Sequence, residues 1–168
     1  PQLVNVPADY STIQAALSAA NESDTVLVEP GTYFENIIWP ETNGIKLISA
    51  GDSSNTIIDG GGVSSGINFI PQQTVIDTNT LIKGFQITNG GGVSYGGGVY
   101  LSNSSPKLSS LDIFGNSSNN GGGGVYISES NPVLSFLDIH NNSSNKGGGI
   151  YITDTYDEPH ILSTQITS

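Results

Sequence analysis

The sequence predicts an all-β solenoid, one chain wound into stacked coils, and three observations carry that prediction. An internal repeat of 25 to 26 residues runs through the second half of the chain. Gly, Ser, Thr and Asn supply 74 of the 168 residues, so turn formers recur throughout and the surface is polar without being highly charged. Only one segment, near the N-terminus, shows the apolar spacing of a helix. A chain of this length has room for one domain with its own core, so 1–168 is read as a single unit. Its cap spans about 1–24 and its coils about 25–168.

The elements follow in order. Ser11 stands three residues before Gln14, the spacing of a capping box, and Ile13, Ala16, Leu17 and Ala20 then share one face. A short amphipathic helix over Ser11 to Ala20 is expected. Beyond Asp24 the pattern changes to brief apolar runs between turn residues: Thr25 to Val28, Tyr33 to Trp39, Ile45 to Ile48 and Thr56 to Ile58. Strand follows strand with no helical segment between.

From residue 97 the repeat is explicit. Gly97-Gly98-Val99-Tyr100-Leu101-Ser102 returns at Gly123 to Ser128 and again, as Gly-Gly-Ile-Tyr-Ile-Thr, at Gly148 to Thr153. Leu111-Asp112-Ile113 returns as Leu137-Asp138-Ile139, and Phe85-Gln86-Ile87 carries the register one coil further back. A unit this small cannot bury its apolar side chains alone, so coils must stack and share a core. Alternation then assigns the faces. Val99, Val125, Ile150, Leu111 and Leu137 point inward, whereas Tyr100, Tyr126 and Tyr151 form one external row and Gln86, Asp112, Asp138 and Gln165 another. Asn116 and Asn142 fall in a turn, where asparagine tolerates left-handed backbone and stacked amides can bond between coils. The glycine clusters suit sharp corners.

Charge removes several partners. Four lysines, no arginine and 15 acids give a net charge of −11, so nothing is present to neutralise the phosphates of nucleic acid or of an anionic membrane. No apolar run approaches the roughly 20 residues that span a bilayer, so membrane insertion is not expected. The lack of cysteine excludes thiolate metal sites, and the low charge suits a secreted or cell-surface protein. Methionine is absent even at position 1, which reads as a processed or excised piece of a longer chain.

The run from Val6 to Leu17, then Asp24 to Tyr33, Glu35 to Ile37, Thr56 to Gly60, Ile82 to Ile87 and the Gly-Gly-Val/Ile-Tyr repeats resemble the pectin-lyase-like superfamily. That resemblance implies a right-handed parallel β-helix of about six coils, closed at one end by the N-terminal helix, because such a cap shields an exposed strand edge. It also implies a range of roles, from polysaccharide lyases, hydrolases and esterases to surface proteins without catalysis, so the fold does not decide the function.

A lyase of this superfamily is implied to need basic residues on an outer sheet, often with Ca²⁺. Lys83 has no second cation at the neighbouring coil, and it reads as a solvated loop lysine. Asp112 and Asp138 are the weak catalytic candidates, with outward carboxylates about 5 Å apart, the separation of retaining glycosidases. The plainer account is a polar position kept through consecutive repeats. Asp154, Asp157 and Glu158 are weak calcium candidates in the insertion of the last repeat, with a solvated acidic loop as the alternative. His140 and His160 do not repeat and have no ligand partner at metal spacing. Tyr100, Tyr126 and Tyr151 are candidate ligand-binding residues whose rings could stack on sugars, unless the ladder serves the sheet alone.

The reading that follows is a non-catalytic β-helix module of a secreted or cell-surface protein, binding a polysaccharide or a surface protein on an exposed sheet, with no cofactor required. A polysaccharide lyase or glycoside hydrolase fragment and a stacking unit of a surface filament or layer are the alternatives. The last coil, around Ile150 to Ile152 and Gln165-Ile166, carries no capping signal, so an end-to-end dimer through it is expected.

Overall fold

The computed structural model describes residues 1–154 and 158–167. It is a parallel β-solenoid of about six turns with one short helix. Each full coil contributes one strand to each of three sheets. Sheet I stacks Leu3–Val6, Thr25–Val28, Lys46–Ser49, Leu81–Lys83, Lys107–Ser109, Val133–Ser135 and His160–Leu162. Sheet II stacks Gly31–Phe34, Thr56–Asp59, Gln86–Thr88, Asp112–Phe114, Asp138–His140 and Gln165–Ile166. Sheet III stacks Ile37–Ile38, Ile67–Phe69, Val99–Ser102, Val125–Ser128 and Ile150–Thr153. A small fourth sheet pairs Val93–Tyr95 with Ser118–Gly121 at the corner between sheets II and III.

The register is the one the repeat predicts. Val99 pairs with Val125 and then Ile150, and Asp112 pairs with Gln86 on one side and Asp138 on the other. Inward residues form one core: Val99, Leu101, Leu108, Ile113, Val125, Ile127, Leu134 and Ile139 are fully buried. Each such side chain contributes about 1.5–3 kcal/mol, which is how coils with no core of their own hold together. Ile150, in the last coil, is half-buried.

Three local expectations are corrected. The helix spans Ile13–Ala19 and its N-cap is Thr12, whose Oγ1 accepts the Ala15 N–H at 3.1 Å, so Ser11 does not cap it. Gln14 closes no capping box either. Its amide instead bonds the Ile38 N–H at 2.7 Å and the Ile38 carbonyl at 3.0 Å, in the manner of an added strand. The remaining helix N–H groups are met from afar, because Glu35 accepts from Ile13 and Gln14 at 2.9 Å each.

Asn116 and Asn142 are not the left-handed residues of their turn. Gly115 (φ +65°) and Asn141 (φ +52°) are, one position earlier. Asn116 is buried, and its amide reaches the Ile87 carbonyl at 2.9 Å and Asn142 Oδ1 at 3.0 Å while its own Oδ1 accepts the Gly90 N–H at 2.8 Å. The expected amide ladder is therefore present, running inside the corner.

The glycine clusters divide by role. Gly96, Gly122 and Gly147 turn the corner with positive φ, whereas Gly98 and Gly124 are glycine because a Cβ would stand 2.6 Å from the carbonyl oxygen of the next coil. Left-handed corners recur at Gly84, Ser110, Phe136 and Ser163, the junction of sheets I and II.

Candidate functional site

The outward row Gln86, Asp112, Asp138, Gln165 lies on sheet II as expected. Beside it runs Asp59, Thr88, Phe114, His140. The two rows interlock at one point that the sequence reading missed. His140 Nε2 lies 3.1 Å from Asp112 Oδ1, and the His140 ring stacks on Phe114 with centroids 5.1 Å apart and an interplanar angle of 1°. Gln86 donates to the other oxygen, Asp112 Oδ2, at 3.3 Å. An imidazole with its single proton on Nε2 satisfies every contact, since Nδ1 then accepts from the Asn141 amide at 2.9 Å. Asp112 thus has a partner on each oxygen, while Asp138 is exposed and has no side-chain hydrogen bond among the described residues.

A groove of about 420 Å³ follows the corner beside these carboxylates. One wall is the left-handed row Ser110, Phe136, Ser163, and the other is Asp112, Asp138, Gln165. Phe136 is 64% exposed at φ +54°, a conformation strained for a bulky side chain. Gly84 and Ser110 hold the equivalent corners, so the ring is the exception in its row. The signal was in the sequence as an aromatic residue that does not repeat. No lysine lies in a strand of sheet II or lines the groove: Lys46, Lys83 and Lys107 all sit in strands of sheet I.

The tyrosine ladder is present in register, with Tyr100, Tyr126 and Tyr151 directly paired. The rings stack on one another, at 5.1 Å and 5.9 Å between centroids, and Tyr95 from the small sheet packs on Tyr126 at 4.7 Å. Tyr126, expected outside, is only 8% exposed although it points away from the core, because these three rings cover it. Burial pushes its hydroxyl above the usual phenol range. The ladder therefore presents ring edges along most of its length.

Asp154 accepts a hydrogen bond from Thr153 at 2.9 Å, Glu158 is exposed beside a hollow with Thr78 and His160, and Asp157 lies outside the described residues. Among the described residues no three His, Cys, Asp or Glu side chains converge as metal ligands. No described helix is long and apolar enough to cross a membrane.

No protein-family model matches the chain, and no curated protein matches it. By fold it is a parallel β-solenoid repeat protein.

Proposed function

We propose that the chain is a non-catalytic binding module of a secreted or cell-surface protein, of the pectin-lyase-like kind, which holds a glycan in the groove beside Asp112 and Asp138. One observation carries the reading: Phe136 keeps a bulky ring in a strained left-handed corner and leaves it 64% exposed, so the ring gains little packing to offset the strain. An exposed ring facing two carboxylates and an amide across a groove is the arrangement that stacks on a sugar's C–H face and bonds its hydroxyls.

The charge of the groove selects neutral or cationic sugars, because no cation is present on this face to meet a uronate carboxylate. The same lack argues against β-elimination, whose transition state needs the carboxylate beside the reacting carbon neutralised. Hydrolysis by a carboxylate pair is also poorly served, since Asp112 spends its two oxygens on His140 and Gln86.

The test is a binding screen of neutral and acidic oligosaccharides paired with an assay for new unsaturated or reducing ends. The expected result is binding of a neutral glycan, weakened about tenfold or more by Phe136→Ala, with no new chain ends. Cleavage that disappears in Asp138→Asn would overturn the non-catalytic reading in favour of a glycoside hydrolase. Unsaturated ends that disappear in Lys83→Ala would point to a lyase.

A further inference from the structure

At the corner between sheets II and III the chain leaves a slot one side chain deep. In the coil before it, Tyr95 pairs with Gly121, and the Gly122 N–H donates to the Lys146 carbonyl at 3.0 Å as the Gly96 N–H does to Gly121, which places Lys146 at the same position one coil on. The row therefore reads Tyr95, Gly121, Lys146, with the middle side chain missing. The spacing from corner to corner shortens from 26 residues (Gly96 to Gly122) to 25 (Gly122 to Gly147), and this change brings a lysine into the row.

The gap is floored by an aromatic ring. A Cβ on Gly121 would stand 2.6 Å from Tyr151 Cδ1, so glycine is what lets that ring lie under the row. The resulting cavity is about 340 Å³, walled by Tyr95 and Lys146 and rimmed by the amides of Asn120 and Asn145. Tyr95 is 37% exposed, and both amides and the lysine are exposed. Lys146 Nζ stands 6.0 Å from the Tyr151 ring centroid and has no ion pair among the described residues. No described carboxylate lines the slot. In a chain of net charge −11 it is a local cationic recess, opposite in character to the Asp112/Asp138 groove.

We infer that this slot binds a single sugar ring carrying one anionic group, a carboxylate or a sulfate ester. The Tyr151 and Tyr95 rings meet the C–H surface, the Asn120 and Asn145 amides each offer a donor and an acceptor to ring hydroxyls, and the Lys146 ammonium takes the charge. A cavity this size is at the small end of ligand pockets, which suits one ring and not an extended chain. The inference rests on the glycan-binding reading of the module and adds a second site with the opposite charge preference.

Titration calorimetry of the whole chain with glucuronate, glucose 6-sulfate, glucose and benzoate tests it. Both anionic sugars are expected to bind about fivefold or more tightly than glucose, the factor of one charge-assisted contact. Lys146→Gln, a surface change that leaves the melting temperature in place, should abolish that difference. Gly121→Ala should close the slot to all of them, and if that variant does not fold, Asn145→Ala is expected to weaken both anionic sugars. Equal affinity for glucose and glucuronate, or glucuronate binding unchanged in Lys146→Gln, would overturn the proposal. Benzoate binding as tightly as glucuronate would overturn the sugar assignment. A neutral glycan that binds in a Phe136-dependent way while no anionic sugar binds would sink this slot and leave the groove reading standing, whereas the converse would sink the groove alone.

Discussion

His140 lies one coil beyond Asp112 and two residues further along its strand, and its Nε2 meets Asp112 Oδ1 at 3.1 Å while its ring stacks on Phe114. The contact ties the two outward rows of sheet II together at the edge of the groove. Both side chains are 27% exposed, so solvent screens the pair and its worth is modest.

A double-mutant cycle with Asp112→Asn and His140→Gln is expected to give a coupling of about 0.5–1 kcal/mol in stability. The Phe136-dependent glycan affinity should fall with the Asp112 variant more than with the His140 variant, because His140 acts on the groove only by holding Asp112. A coupling of zero would mean that the contact does not orient the carboxylate.

Asn116 is a stronger structural element. Asn116→Ala strips a buried donor from the Ile87 carbonyl and a buried acceptor from the Gly90 N–H. Leaving such groups unmet costs about 1–3 kcal/mol each, so denaturant unfolding should show a loss of at least about 2 kcal/mol. Asn142→Ala takes the donor from the Ile113 carbonyl and the shared acceptor from the Asn116 N–H and amide, so a loss of comparable size is expected.

Several carboxylates accept backbone N–H groups and are held below their usual range. The Asn21 N–H, then the Gln2 N–H, does this for Asp24; the Asn79 N–H leads for Asp77 and the Gln72 N–H for Glu41. With folded values depressed, their contribution to stability is full above the ordinary values of 3.8 and 4.5 and is lost as pH falls through the folded values. The melting temperature should therefore be insensitive to these groups between pH 7 and 5 and drop below about pH 4. Asp24→Asn should shrink that drop, and a melting curve that loses its stability already above pH 5 would contradict the assignment.

The binding reading requires no cofactor, and calcium is expected to be held weakly at most. Millimolar Ca²⁺ should leave the melting temperature unchanged. A large rise that disappears in Asp138→Asn would show an integral metal site.

The last described coil leaves Ile152, Ile161 and Ile166 39%, 43% and 48% exposed, whereas Ile127, Leu134 and Ile139, their partners one coil back, are fully buried. The helix covers the opposite end, so two copies of this 168-residue chain are expected to associate through their last coils in a two-fold dimer. Sedimentation should show concentration-dependent dimerisation that Ile166→Lys abolishes. A strict monomer at high concentration would refute it.

What was legible in the sequence is tied to what repeats. Val99, Val125 and Ile150 recur in step and alternate with tyrosines, so winding, register and the inward face follow from the period of two within a strand and of 25 to 26 between coils. The features that do not repeat were less legible. Phe136, His140 and Lys146 each break their row, and a repeat analysis treats such a residue as noise. Their partners are also displaced diagonally between coils, as with His140 and Asp112, or brought together by a one-residue change in corner length, as with Lys146 and Gly121.

The sequence by itself determined the solenoid and which residues face its core, because hydrophobic alternation and exact repetition are local properties that survive without knowledge of any contact. Only the tertiary structure decided that Glu35 caps the helix, that Tyr126 is covered by neighbouring rings, and that the groove is acidic while the slot is cationic. Each of these depends on side chains reaching across the spacing between coils, about 4.8 Å, where the length of a corner and the direction of a rotamer choose the neighbour.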